Sequence, residues 1–316
     1  MAFSVKGGVY PTMITPYRGG QVDIDAAAAL VDWYYEQGCD GIFAVCQSSE
    51  IFYLTLNERV ALASAVVRRA DELAASGGRR MMIVASGHIS DSYGDQQKEL
   101  RAIAETGVDA LILISNRMDI ANTGDDAWIA ETSRLVEGLP ADLPLGIYEC
   151  PKPYKRLLTE KMIKWCAASG RFYFIKDTCC DAALIERRIE WCKDSPLKIF
   201  NANAQTLLPS LRAGGYGYCG VMANFHPSLY AALIDIHAKR PDEAEKLAAF
   251  LSLSAFTESL AYPCTAKYHL RVHEGLRIED YSRSRDESEL TDYHRACIDQ
   301  MNLLSRAVAA EMKENT

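Results

Sequence analysis

Eight short apolar runs, each followed by a polar or amphipathic stretch, constrain the fold of this 316-residue chain more than any other feature. The runs are apolar almost throughout, which is typical of strands that are buried on both faces of a parallel sheet. We therefore predict eight parallel strands. The runs are GVYPTMIT (8–15), GIFAVC (41–46), RMMIVAS (80–86), DALILI (109–114), PLGIYEC (144–150), FYFIKDT (172–178), LKIFNAN (197–203) and YGYCGVM (216–222).

The segments between the runs have the spacing of helices with one buried face. In segment 57–76, apolar residues recur at i, i+3, i+4 and i+7, and Thr55 with Glu58 predicts a capping box at the start. A second helix is predicted to start at Asp25 and to end at Gly38. Strands that alternate with helices eight times predict a (β/α)8 TIM barrel, since open doubly wound sheets more often have five or six strands.

The chain after the eighth run has few strand signals. Helical periodicity is present in 247–260 and 295–313, and Pro241 suits the first turn of a helix. No low-complexity linker or shift in composition marks a boundary. We predict a barrel in 1–227 and a C-terminal helical extension in 228–316 that packs on it as part of the same structural unit.

Composition and charge exclude several classes of protein. Hydrophobic residues make up 49% of the chain and charged residues 24%, which excludes a disordered or collagen-like chain. The net charge is −8, and basic residues occur mostly singly or in pairs, which argues against a nucleic-acid or anionic-membrane surface. No stretch approaches 18 unbroken apolar residues, so no membrane span is predicted. We expect a small soluble molecule as the partner.

The cysteines and the first residues predict the compartment. Segment 1–17 lacks the apolar run of a secretory signal. The ten cysteines include no CxxC pair, and the adjacent Cys179 and Cys180 have poor geometry for a disulfide. These features predict reduced thiols and a cytoplasmic location.

Two residues at neighbouring strand ends suggest chemistry, because the active site of such a barrel lies at the carboxyl ends of its strands. Lys176 follows the apolar segment 172–175, and desolvation there is expected to lower its pKa and favour a nucleophilic amine. Strand alternation directs Asp177 to the opposite face. Tyr148 lies at the same level of the preceding strand and is suited to pass a proton. Position alone also allows non-catalytic roles for both residues. Lys176 could extend its amine to water, and Tyr148 could simply line the barrel.

Three further patterns in the sequence are weaker indications of function. The hydroxyls and backbone of Ser48 and Ser49, in the turn after the second run, suit a carboxylate, although serines are common in loops. A GxGxxG pattern at 215–220 precedes a strand rather than a helix, which disfavours a dinucleotide site. His269 and His273 have i, i+4 spacing without a neighbouring glutamate or a third ligand, so no metal site is predicted.

Motifs at the strand ends together resemble the dihydrodipicolinate synthase / N-acetylneuraminate lyase family. They are GVYPTMITPY at the start, QSSE after the second run, YECP after the fifth and IKDT at the sixth, followed by ANAQTLLPSLRAGGYGYCGVMANFHP. The resemblance extends from about Gly8 to Pro227. It implies a (β/α)8 class I aldolase or lyase, a homotetramer or homodimer, that forms a Schiff base with a 2-oxo acid and needs no metal or organic cofactor.

The resemblance also implies roles for particular residues. Lys176 is similar to the Schiff-base lysine of the family, and Tyr148 is similar to its proton-shuttling tyrosine. The turn from Cys46 to Glu50 is similar to the turn that binds the substrate carboxylate. The residues that we predict to bind substrate are Gln47, Ser48, Ser49, Arg117 and Cys219.

The chain departs from the family pattern at several positions. Gln47 replaces a hydroxyl residue of the proton relay of the synthases, and Asn116 or Arg117 stands where a relay tyrosine is expected. Cys46 and Ser49 replace both glycines of the carboxylate-binding turn. We therefore predict a Schiff-base lyase or aldolase for pyruvate or a pyruvate-releasing substrate, and not a true dihydrodipicolinate synthase. Arg117 is expected to favour a substrate with a second anionic or polyhydroxylated group.

Other functions are compatible with the same residues. A dehydratase or a deaminating lyase would use the same imine. A non-catalytic 2-oxo-acid-binding protein would retain the imine without turnover. A phosphate-binding barrel that uses glycines near the last two strands is a further alternative.

Overall fold

Each of the eight apolar runs contains a strand, and the computed structural model, which describes residues 3–314, confirms the predicted (β/α)8 barrel. Eight strands are parallel neighbours in the order β4-β5-β6-β7-β8-β9-β10-β1, and a bridge between Thr12 and Phe43 closes the barrel. β2 and β3 form an antiparallel hairpin that we did not predict. The strands are β1 (Gly8–Val9), β2 (Tyr17–Arg18), β3 (Gln21–Val22), β4 (Gly41–Phe43), β5 (Met82–Ser86), β6 (Ala110–Ile114), β7 (Leu145–Tyr148), β8 (Phe172–Asp177), β9 (Lys198–Asn201) and β10 (Gly217–Tyr218).

The barrel closes where two glycines meet. A Cβ atom on Gly217 would lie 2.0 Å from the carbonyl oxygen of Gly8, so only glycine lets β10 approach β1 this closely. Pro11 follows β1 and has no N–H to donate, but its carbonyl accepts the N–H of Phe43 at 3.0 Å. These local features explain why β1 is shorter than the apolar run that predicts it.

Helices follow the strands and then extend beyond the barrel. They are α1 (Ile24–Glu36), α2 (Leu56–Ala75), α3 (Tyr93–Ala104), α4 (Asp125–Glu137), α5 (Glu160–Ala168), α6 (Ala182–Cys192), α7 (Leu207–Arg212), α8 (Pro227–Ile236), α9 (Pro241–Ser254), α10 (Cys264–Val272) and α11 (Asp292–Glu314). The predicted capping box of Thr55 and Glu58 is present. The predicted start of α1 at Asp25 is wrong, because Asp23 caps the helix by accepting the N–H of Ala26 at 3.1 Å.

Aromatic side chains fill the amino end of the barrel. The rings of Phe174 and Phe200 stack with centroids 4.2 Å apart, and Tyr10 lies 4.9 Å from Phe200. All three residues are fully buried. The interior is therefore packed at this end, opposite the carboxyl ends of the strands.

The C-terminal helices confirm the predicted extension. The last barrel helix, α8, packs against β1, and α9 packs against α8. The segment 247–260, predicted as one helix, contains the end of α9 followed by a 3-10 turn at Ala255–Ser259. None of the helices in residues 3–314 is long and apolar enough to cross a membrane.

Candidate active site

Lys176 and Tyr148 lie side by side inside the carboxyl end of the barrel. They are paired residues of β8 and β7, and they are 4% and 3% exposed. The Lys176 Nζ atom lies 4.3 Å from the centroid of the Tyr148 ring and 5.6 Å from that of Phe43. Within residues 3–314 this amine has no hydrogen-bond or ion-pair partner. The structure thus brings together the two residues that we predicted to be catalytic and leaves the amine free for a ligand.

Three buried thiols lie around Tyr148. Burial raises the pKa of Tyr148 well above its ordinary value, and the nearby Cys150, Cys46 and Cys219 raise it further. The Cys150 thiol donates a hydrogen bond to the side chain of Gln47, with Sγ and Oε1 3.5 Å apart. Tyr148 therefore holds its proton near neutral pH.

The turn after β4 presents backbone donors and one hydroxyl. The N–H groups of Gln47 and Ser48 make no hydrogen bond within residues 3–314, and the Ser48 hydroxyl donates to Thr12 at 3.0 Å. Ser49 is fully buried, and its hydroxyl donates to the Met13 carbonyl at 2.6 Å and accepts a backbone N–H at 3.1 Å. Gln47 and Ser48 line the cavity, whereas Ser49 holds the turn and does not reach a ligand.

Glu50 ends this turn and binds it to the C-terminal extension. One carboxylate oxygen accepts the Ser282 hydroxyl at 2.6 Å and the N–H groups of Arg283 and Ser284 at 2.7 and 2.8 Å. The other oxygen lies 3.1 Å from the Nζ atom of the buried Lys267. Burial raises the pKa of Glu50, but Lys267 and the hydrogen bonds lower it more, so the net pKa is below the ordinary value. The shape of the turn therefore depends on residues far along the chain.

A cavity of about 650 Å³ opens over Lys176 at the carboxyl end of the barrel. Four basic residues line it, whereas only two carboxylates do so among the described residues, and this excess of positive charge favours an anionic ligand. The basic residues are Lys152, Lys155, Lys176 and Arg285. Cys219 is fully buried behind this lining, and burial raises the pKa of its thiol to about 12. Other lining residues are Gln47, Ser48, Tyr148, Thr178, Glu258 and Tyr262.

Arg117 lies outside the cavity that contains Lys176. Its Nη1 atom pairs with Asp91 at 2.7 Å, and its Nε donates to Asn116 at 3.0 Å. The Asn116 amide donates to the carbonyls of Cys150 and Tyr154 at 3.0 and 2.6 Å, which fixes the loop after β7. The structure therefore does not bring Arg117 to Lys176. The lysines and Arg285 supply the positive charge that we expected from Arg117.

The outer face of the same strands carries a buried ion cluster. Asp177 points away from Lys176, as alternation predicts, and pairs with Arg188 of α6. Glu149 also pairs with Arg188, at 3.0 Å, and all three side chains are fully buried. The Glu149 carboxylate further accepts the N–H groups of Leu158 and Thr178 at 2.7 and 3.0 Å. This cluster fixes the strand ends that position Lys176 and Tyr148.

Several residues that line the cavity were not predicted from the sequence, among them Lys155, Arg285 and Glu258. Lys155 donates to the Thr178 carbonyl at 2.7 Å, and Arg285 pairs with Glu289 at 2.6 Å. Glu258 lies in the 3-10 turn after α9. No motif marks these positions, because they come from loops and from the extension rather than from strand ends.

Comparison with known proteins places the chain in a family. It matches the Dihydrodipicolinate synthetase family over residues 5–284. The protein belongs to this family. The 4-hydroxy-tetrahydrodipicolinate synthase of Jannaschia sp. (strain CCS1) is 26% identical over 255 residues, which cover 81% of this chain and 78% of that protein. The synthase of Methanococcus maripaludis (strain C6) is 24% identical over 243 residues, covering 76% and 78%.

Solved structures confirm the fold. Sialic acid aldolase from Ruminococcus gnavus superposes with a TM-score of 0.84 and 17% identity over 97% of this chain and 99% of that one. The prophage protein YagE from E. coli K12, solved in complex with pyruvate, gives a TM-score of 0.81 and 20% identity over 96% and 98%. The predicted family and the predicted enzyme class, a lyase of the class I aldolase type, are confirmed.

Proposed function

We propose that this protein is a Schiff-base-forming lyase or aldolase that acts on a 2-oxo acid, either pyruvate or a compound that releases it. The observation that carries the proposal is the Lys176 amine, which is buried, has no partner within residues 3–314 and lies beside Tyr148 on the wall of a cavity. An amine in such a position is suited to attack a ketone. The positive lining of the cavity supports an acidic substrate.

The reaction follows from the residues around the amine. Lys176 adds to the ketone carbon, and loss of water gives a protonated imine. Tyr148 transfers the protons of these steps, since its hydroxyl keeps a proton near neutral pH. The free N–H groups of Gln47 and Ser48 bind the substrate carboxylate. The imine then withdraws electrons, so a bond at the adjacent carbon breaks without a metal or an organic cofactor.

Borohydride trapping tests this proposal. Borohydride added with pyruvate is expected to inactivate the protein and to attach one adduct per chain, which peptide mapping locates at Lys176. Lys176→Arg is expected to abolish the adduct, because a guanidinium stays protonated and does not attack a ketone. Lys155→Arg, which changes another lysine of the cavity, should keep the adduct and serves as the matched control. The proposal fails if neither pyruvate nor longer 2-oxo acids label Lys176.

The second substrate is inferred to differ from that of the relatives named as synthases. Gln47 has an amide where the synthase relay needs a hydroxyl, and Arg117 is held by Asp91 away from the cavity. We expect negligible condensation of pyruvate with aspartate semialdehyde in a coupled assay. Robust turnover there would show that the chain is a synthase. Trapping without turnover of any 2-oxo acid would favour the non-catalytic binding protein.

Assembly is inferred from the family resemblance. We expect a homotetramer or a homodimer in the cytoplasm, with the barrel and the extension as one structural unit joined by Glu50 and its partners Ser282 and Lys267. A neighbour in structure is described as a monomeric dihydrodipicolinate synthase variant, with a TM-score of 0.83 and 16% identity, so the number of subunits varies among similar folds. Sedimentation velocity measures it, and a monomer at micromolar concentration would contradict the expectation.

A further inference from the structure

Two carboxylates line the cavity within residues 3–314, and only one of them is free. Glu50 is bound by Lys267, Ser282 and two backbone N–H groups. Glu258 makes no hydrogen bond or ion pair with the described residues. Its side chain is exposed to the cavity. Of the two, Glu258 is the one whose carboxylate is not held by other described residues.

The C-terminal extension brings Glu258 to the barrel. The 3-10 turn Ala255–Ser259 packs against the 3-10 turn Val221–Asn224, which follows the last barrel strand. Burial by the surrounding protein raises the pKa of Glu258, and the nearby Lys176 ammonium opposes this rise. The two side chains line the same cavity and interact electrostatically. A carboxyl group in this environment gains and loses a proton closer to neutral pH than an ordinary glutamate.

The proposed reaction needs a proton acceptor that Tyr148 does not supply. After the imine forms, a proton on the neighbouring carbon must leave before an enamine exists. Burial holds the pKa of Tyr148 well above its ordinary value, so its phenolate is scarce. The centroid of the Tyr148 ring also lies 4.3 Å from Nζ, next to the nitrogen that would form the imine. Tyr148 is therefore suited to the protonation steps at the imine and not to deprotonation of the carbon.

We infer that Glu258 is the acid–base residue for the carbon next to the imine, a role that rests on the function proposed above. The Glu258 carboxylate takes the proton from this carbon. The C–H electron pair forms the carbon–carbon double bond of the enamine, and the π electrons of the imine move to the Lys176 nitrogen. In the reverse step, the protonated Glu258 returns the proton to the same carbon, and the imine forms again. No oxidant or further reactant is needed.

Pyruvate alone is sufficient to test this inference. In deuterium oxide, the wild-type protein is expected to exchange the methyl protons of pyruvate, a rate that proton NMR measures directly. Glu258→Gln should lower this rate by roughly 10²–10⁴-fold, the usual range for a positioned acid–base group. Borohydride trapping at Lys176 should stay within about threefold of wild type in this variant, because imine formation precedes the step. The control is Glu186→Gln, which removes the same charge from an exposed position of α6.

Two further measurements separate a chemical role from a structural one. The exchange rate of the wild type should fall as pH decreases through the raised pKa of Glu258, and Glu258→Gln should lack this dependence. Formate should restore part of the exchange in Glu258→Ala, because it supplies the missing carboxylate in the vacated space.

The outcomes distinguish this inference from the proposed function. If the exchange rate of Glu258→Gln is within about threefold of that of Glu186→Gln, the inference is wrong and the proposed function remains intact. The same conclusion follows if Glu258→Gln loses borohydride trapping and proton exchange to the same extent. If the wild type traps pyruvate at Lys176 without exchanging its methyl protons, the inference is also wrong. If neither pyruvate nor 2-oxobutyrate is trapped at Lys176, the proposed function itself fails.

Discussion

The inner and outer faces of β7 and β8 place neighbouring residues in opposite electrostatic surroundings. On the inner face, the Lys176 amine has no partner within residues 3–314 and faces a cavity. On the outer face, Glu149 and Asp177 both pair with the fully buried Arg188. Buried charges are costly unless they are paired, so an unpaired one is a candidate for ligand binding. Strand alternation thus separates the groups suited to react from the groups that fix the strands.

The largest effect on activity among the variants of this comparison is expected for Tyr148→Phe. Loss of its hydroxyl should lower turnover by roughly 10²–10⁴-fold, because the protons of imine formation lose their donor. The fold should remain, since the ring still packs 5.4 Å from Phe43. Steady-state kinetics and thermal unfolding measure the two effects. Tyr10→Phe, which removes a hydroxyl at the packed end of the barrel, should keep normal turnover; near-normal turnover of Tyr148→Phe would reduce Tyr148 to a lining aromatic residue.

On the outer face, Arg188→Met is expected to lower the free energy of unfolding. The change leaves two buried carboxylates without their cation, which typically costs about 3–5 kcal/mol. Urea unfolding measures the loss. Arg187→Met, at the exposed next position of α6, is the matched control and should unfold nearly as the wild type does. A loss of less than about 1 kcal/mol for Arg188→Met would show that the cluster is not needed to hold the strands.

The loss of stability in Arg188→Met is expected to depend on pH. Burial raises the pKa of Glu149 even with Arg188 present, and removal of the guanidinium removes the group that most opposes this rise. A carboxyl group whose folded pKa is raised stabilises the fold below its unfolded pKa and loses this contribution as pH rises. The stability gap between Arg188→Met and wild type should therefore be smaller at pH 5 than at pH 8. If the difference in unfolding free energy between Arg188→Met and wild type does not change with pH, the raised pKa of Glu149 is not its cause.

The smallest expected effect concerns a buried histidine between β6 and α3. The Nε2 atom of His88 accepts the N–H of Ile114 at 2.6 Å, and its Nδ1 lies 2.9 Å from the Gln96 side-chain oxygen, so the neutral ring satisfies both. Burial lowers the pKa of His88 from 6.5 to about 4. The fold therefore has the full contribution of His88 above pH 6.5 and loses up to about 3 kcal/mol as pH falls toward 4.

Comparison of the wild type with His88→Gln measures this contribution. The free energy of unfolding of the wild type should fall more steeply between pH 6.5 and 4.5 than that of the variant, because glutamine does not titrate. Some slope should remain in His88→Gln, since burial also lowers the pKa of His226 to about 3. Equal slopes would contradict the neutral, bonded state of His88.

Much of the barrel could be predicted because its signals are local. Continuous apolar runs marked all eight barrel strands, and the period of two placed Lys176 and Asp177 on opposite faces. The start of α1 was predicted incorrectly from such local signals. Asp23 and Asp25 have the same side-chain chemistry, and only the backbone conformation decides which of them caps the helix. The pairing of Tyr148 with Lys176 could also be predicted, because both residues lie near the ends of neighbouring strands and at the same level.

The rest of the site depends on contacts between distant parts of the chain. Arg117 turns away because Asp91, 26 residues earlier, meets it in three dimensions. Glu258 faces the cavity because α9 ends at Ser254 and a 3-10 turn redirects the chain, although the periodicity of 247–260 predicts a continuous helix. Neither contact leaves a pattern in one sequence. This is why the sequence predicted the neighbouring positions of Lys176 and Tyr148 better than the walls around them.

The bond between Glu50 and the extension determines when the site is completed during synthesis. Lys267 lies 217 residues later than Glu50 in the chain, and the three partners of the other Glu50 carboxylate oxygen lie 232, 233 and 234 residues later. A ribosome adds about 5–20 residues per second, so the carboxylate is made roughly 10–50 seconds before its partners. By the end of that interval all the barrel strands have been synthesised, but the turn that includes Gln47 and Ser48 still lacks its anchor. A nascent chain should therefore be unable to bind substrate until the segment around Ser284 has left the ribosome and docked.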